Sequence, residues 1–141
     1  MDNIKTFGKI KENFVREIGS VINRCNKIVT LRPHIVNIYL TIEDFIINSP
    51  IEIDTDDIGQ LEGCRGIFIP KEAEGPYKGI DKLDLFLENI KTESDFVESY
   101  FRALSSLQVL ETPRYDKDAL VNNWFLMYIE SYGYPNTQLY Q

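Results

Sequence analysis

Histidine is almost missing from this chain: His34 stands alone, and the two cysteines, Cys25 and Cys64, lie 39 residues apart with no CxxC pair. A structural zinc site takes about four such ligands, so zinc is not expected. Nor does His34 sit between an acid and a nucleophile in a spacing that would make it a general base. The eight glycines are too widely spaced for a phosphate-cradling loop, which excludes the Walker and dinucleotide-binding patterns. A long apolar run is missing too. The most apolar stretch, 35–47, is broken by Asn37, Glu43 and Asp44 and falls short of the ~20 residues of a membrane span. The first residues, Met1 to Lys5, lead into a charged amphipathic segment and not into an export signal. The expectation is a cytoplasmic chain with free thiols and no cofactor.

What is present is ordinary for a globular domain. With 141 residues, 43% hydrophobic, 26% charged and 12% aromatic, the composition suits one domain, 1–141, with its own core. Ile4, Phe7, Ile10, Phe14, Ile18, Val21, Ile22 and Cys25 recur at steps of three or four, which predicts an amphipathic helix over 3–25 weakened at Gly8 and Gly19. A second helix is expected from Thr30–Pro33 to Ser49, with Ile35, Ile38, Ile42, Phe45 and Ile46 in helical spacing. The β-branched content of 35–40 pulls toward a strand, yet the helical spacing keeps helix as the expectation. Residues 51–79 hold five of the eight glycines. Within them Ile51-Glu52-Ile53 and Gly66 to Ile69 read as two short strands of a hairpin. Helical patterning returns at Leu83, Leu85, Phe86, Leu87 and Ile90. A further helix follows Thr92, with Asp95 in the place of a capping-box acid, and ends at Pro113. The last begins near Asp116 and ends at Gly133-Tyr134-Pro135, before a polar tail expected to be loose. The predicted fold is mainly α: a bundle of about five helices with a possible two-stranded hairpin in the 51–70 region.

Motifs that would carry chemistry fail on inspection. Asp54-Thr55-Asp56-Asp57-Ile58-Gly59 resembles the start of an EF-hand loop, but its fifth position is Ile58 and its twelfth is Arg65, where carboxylates belong. A solvated acidic turn is the better reading, and no metal is expected. Cys25 falls on the apolar stripe of the first helix, where a thiol acts as a small hydrophobe. Cys64, in Gly63-Cys64-Arg65-Gly66, has an arginine beside it that would favour a thiolate, yet no histidine or second cysteine nearby. The expectation is a binding protein and not an enzyme.

Charge is the informative feature. Residues 1–42 carry seven Lys/Arg and three Asp/Glu, a net of +4; residues 43–98 carry five and fifteen, a net of −10; the remainder contributes −1 to the total of −7. The densest acids coincide with the glycine-rich segment. Such a concentration steers a basic partner and disfavours direct contact with nucleic acid, which needs a basic footprint. Aromatic residues crowd the last third, where Tyr132 and Tyr134 are candidate interface anchors.

In size, acidity, helicity, acidic loops and late aromatics the chain resembles the immunity proteins of bacterial toxin systems, including those of contact-dependent inhibition. The resemblance implies neutralisation of a cognate basic toxin, typically a nuclease, by docking at or near its active site. Glu52, Asp54, Asp56, Asp57, Glu62, Glu72 and Glu74 would then meet the toxin's lysines and arginines. Two other readings stay open: a phage- or plasmid-encoded inhibitor of a host nucleic-acid enzyme, and a small ligand-binding protein or enzyme using Cys64 or a carboxylate pair.

Overall fold

The computed structural model describes residues 4–30, 34–48, 59–71, 79, 81–136 and 138–139. It is an α/β fold and not a helical bundle. Four strands form one mixed sheet: β1 (Ile4–Phe7), β2 (His34–Tyr39), β3 (Gly66–Ile69) and β4 (Asp81–Phe86), in the order β1-β2-β4-β3. The β1–β2 and β2–β4 pairings are parallel, and β3 runs antiparallel to β4. Between and after the strands come α1 (Glu12–Ile28), α2 (Ile42–Asn48), α3 (Glu93–Glu111) and α4 (Lys117–Tyr132), with a 3-10 turn at Leu87–Asn89.

Three predicted elements are corrected. Residues 4–7 do not belong to the first helix, because they form a strand that ends at Phe7, before Gly8. Gly8 takes φ +102°, and a Cβ there would lie 2.7 Å from Leu40 Cβ. Helix α1 therefore begins only after the extended Lys11. Residues 34–39 form a strand and not the expected helix, because their β-branched side chains suit a pleated sheet, and His34 opens that strand. Residues 81–86 form the second central strand: Leu83 and Leu85 face one side while Lys82, Asp84 and Phe86 face the other, a period of two. Gly66–Ile69 is a strand, but its partner is β4. The proposed partner, Ile51 to Ile53, lies outside the described residues.

The period explains the packing. On one face of the sheet, Val36, Ile38, Leu83 and Leu85 meet Phe14, Ile18, Val21, Ile22 and Cys25 of α1 and Phe96, Val97, Tyr100, Phe101 and Leu104 of α3. Helix α4 lies outside α3 and buries only Val121 and Tyr128 fully. On the opposite face Phe45 of α2 sits edge-on to Tyr39 and Phe86, with ring centroids 5.2 and 5.3 Å away, and Phe7 stacks on Tyr39 at 4.7 Å. Thr92 caps α3 by accepting the Asp95 N–H at 3.0 Å. The tail is not loose where described: Gln138 bridges Thr92, Leu139 N–H donates to Lys91 O at 3.2 Å, and the Leu139 side chain packs on the core. No helix among the described residues is long and apolar enough to cross a membrane.

Candidate functional site

Period-two alternation on the central strands leads to the most unusual chemistry in the interior. Asn37 and Asp84 are paired across β2 and β4, and with Lys82 they occupy the face of the sheet that also carries Tyr39 and Phe86. All three are buried. Asn37 Nδ2 donates to Asp84 Oδ1 at 3.0 Å, and Lys82 Nζ lies 3.3 Å from Oδ2. That ion pair lacks hydrogen-bond geometry, and Oδ2 has no hydrogen-bond partner among the described residues. Burial raises the Asp84 pKa, and the charge of Lys82 and the Asn37 hydrogen bond oppose it. With Asp84 fully enclosed, the cluster has no surface on which a substrate could sit. It is suited to fixing the register of two central strands, since any slip would leave charges unpaired.

A second polar node ties the helices together. Arg24 on α1 donates through Nε to the Tyr128 hydroxyl of α4 at 2.9 Å and through its second nitrogen to Glu93 Oε1 of α3 at 2.8 Å. Its guanidinium also lies 5.9 Å from the Tyr132 ring centroid. Burial would lower the Arg24 pKa, but Tyr128 and Glu93 together hold it above its usual value. A cavity of about 260 Å³ opens beside it, between Tyr132, Gly133 and Tyr134. Deeper in, Tyr100 donates to Asn26 Oδ1 at 2.8 Å and lies 3.2 Å from His34 Nε2, so the imidazole N–H is the donor in that contact. The one histidine is thus part of a packed link between sheet and helices.

Among the seven acids expected to meet a partner, Glu62 is exposed in the turn before Gly63. Glu52, Asp54, Asp56, Asp57, Glu72 and Glu74 lie outside the described residues, as does most of the calcium-like stretch from Asp54. The structure instead shows what the other acids of the negative segment do. Asp44 accepts from the Thr41 N–H and hydroxyl, Glu88 from the Ile42 N–H, and Asp81 from the Lys71 N–H. Glu93 pairs with Arg24, Asp84 with Lys82, Asp95 with Arg65 at 3.5 Å, and Glu98 with Arg102 at 3.9 Å. These seven acids therefore take part in contacts within the chain. Of the other described acids in 43–98, Glu43 on α2 and Glu62 are exposed.

Cys64 is half-buried against the Tyr39–Phe45–Phe86 cluster, and its thiol donates to Gly66 O at 3.2 Å. Arg65 points to Asp95 and not to the sulfur. Cys25 is enclosed and burial raises its pKa strongly, the behaviour of a core thiol. Among the described residues, no group of three or more His, Cys, Asp or Glu is placed to hold a metal ion.

No protein-family model, curated protein or solved structure matches this chain. The site must be read from its own residues. Sequence reasoning missed the Asn37–Lys82–Asp84 cluster, although the alternation in Asp-Lys-Leu-Asp-Leu-Phe signalled it. It also left open which way the apolar faces of the last helix point: Leu126, Met127 and Tyr134 are exposed, and Tyr132 is exposed too while lying beside Arg24 and Tyr128.

Proposed function

We propose that this protein is a cytoplasmic inhibitor of the immunity type, which works by binding a basic protein partner, a toxin nuclease being the fitting example, and not by catalysis. The observation that supports this most directly is the concentration of charge in the negative segment. Within the stretch 52–74 seven acids fall in twenty-three residues against two basic ones, and Glu62, the one of them among the described residues, is exposed. A concentration of carboxylates on one stretch of chain sets up a field of long-range attraction, which raises association rates and selects against acidic competitors. Docking of such a segment over a nuclease's basic cleft would exclude its anionic substrate.

Co-purification from the native host, followed by mass spectrometry, supplies the partner. Association kinetics of the purified pair then carry the test. Replacing Asp54, Asp56 and Asp57 together by lysine should slow association at low salt by about tenfold or more, with little change once salt screens the field. Unchanged association at low salt would sink the proposal.

A further inference from the structure

Helix α4 has more apolar residues than its packing uses. Val121 and Tyr128 are buried and Trp124 and Phe125 are half-buried, but Leu126 is 64% exposed, Met127 46% and the neighbouring Tyr134 60%. Beside Leu126 a groove of about 540 Å³ opens between α4 and the first turns of α3, lined by Val121, Phe125, Leu126 and Tyr134 with Glu98 at its side. At 100° per residue, Asp118, Asn122, Leu126 and Glu130 follow one another along one side of the helix. At ~1.5 Å rise per residue, Asp118 stands about 12 Å before Leu126 and Glu130 about 6 Å after it. An apolar anchor point is thus bracketed by carboxylates, Asp118 being 77% exposed even while Arg102 reaches it.

Resting on the binding function proposed above, we infer that the outer face of α4 is a second docking site. It takes an amphipathic, basic helical segment of the partner, whose apolar side chain enters the groove while its Lys or Arg residues meet Glu130 and compete with Arg102 for Asp118 and Glu98. Charge chooses this occupant over a second copy of the chain. Two α4 helices packed antiparallel about a two-fold axis would bring the acidic ends of the two faces, each carrying Asp118 and Glu130, against one another, and like charges at such a contact are repulsive. The geometry matches helix-in-groove recognition, in which one or two apolar anchors carry most of the binding.

The probe is a fluorescein-labelled leucine/lysine amphipathic peptide of about eighteen residues, long enough to fold when bound. It is titrated against the full chain by anisotropy, beside a leucine/glutamate peptide of the same pattern and a serine/lysine peptide of the same charge. The leucine/lysine peptide should bind, and each control should bind more weakly by about tenfold or more. Leu126→Asp and Tyr134→Ala should each weaken it by about tenfold, and Glu130→Lys by severalfold, without lowering the melting temperature, because these side chains lie on the surface. Failure of the peptide to bind, equal binding of the serine/lysine peptide, or unchanged affinity in Leu126→Asp would overturn the inference. So would sedimentation of the free chain as a dimer that Leu126→Asp dissociates. The triple lysine replacement at Asp54, Asp56 and Asp57 separates the two proposals. If it alone weakens binding, the acidic segment is the recognition surface and the α4 face is not. If only the α4 variants do, the α4 site stands without the acidic segment.

Discussion

Asp84 and Lys82 form an ion pair where water does not reach, and removing either partner leaves the other charged and buried. Lys82→Met, which leaves the Asp84 carboxylate buried without its counter-charge, should therefore cost about 3–5 kcal/mol in urea unfolding at neutral pH. The double variant Lys82→Met/Asp84→Leu should recover most of that loss, because two apolar side chains of similar volume satisfy the same space without desolvating a charge. A double variant as unstable as the single one would show that the pair does more than neutralise itself. The raised Asp84 pKa fixes the sign of a pH effect. The folded state holds this proton more tightly than the unfolded chain does, so the associated stability is fully present below the ordinary value of 3.8 and is lost as pH rises through the folded pKa. Wild type compared with Asp84→Asn should accordingly be relatively most stable at the acid end, a difference that denaturant melts over a pH series will register. The alternation in 81–86 hints at a strand, but that both of its faces are covered, so that Lys82 and Asp84 lie inside, is not legible in the sequence.

At the scale of elements, periodicity identifies three helices and misassigns the central strands. The segments 14–25, 93–111 and 117–132 carry helical spacing because each lays one face on a core, and they are helices. Segments 34–39 and 81–86 are central parallel strands covered on both faces, where inward residues no longer alternate with exposed ones. Short apolar runs of this sort look alike as helix or strand, and only pairing with distant residues decides between them. The glycines sort in the same way. Gly19 lies in α1, where an added methyl would meet nothing within 4 Å, so Gly19→Ala should stabilise by about 0.5–1 kcal/mol. Gly8 has a positive φ and Leu40 against it, so Gly8→Ala should destabilise by about 1–3 kcal/mol. Gly66→Ala should destabilise as well, because a Cβ would lie 2.9 Å from the backbone oxygen of Asp84 and 2.8 Å from Leu85 Cδ2. Thermal melts of the three variants check the order.

For the molecule as a whole, Arg24 is the residue on which three helices converge, and its loss would strand Glu93 and Tyr128 together. Arg24→Met should lower stability by about 1–3 kcal/mol and loosen α4 against α1, visible as faster amide exchange in 117–132. The charge division along the chain is plain from the order of its residues, but its meaning is not. Seven described acids of the negative segment hold turns, cap backbone N–H groups or pair with basic side chains, roles that only the fold reveals. The order β1-β2-β4-β3 places the whole of 40–80 between two strands that are neighbours in space. Within it α2 and β3 are fixed on the sheet, and a flexible loop joining fixed elements adds only about 0.6 kcal/mol to the free energy of closure for each doubling of its length. Under the proposed function, a new partner would call for new acids along this connection and not for a new sheet.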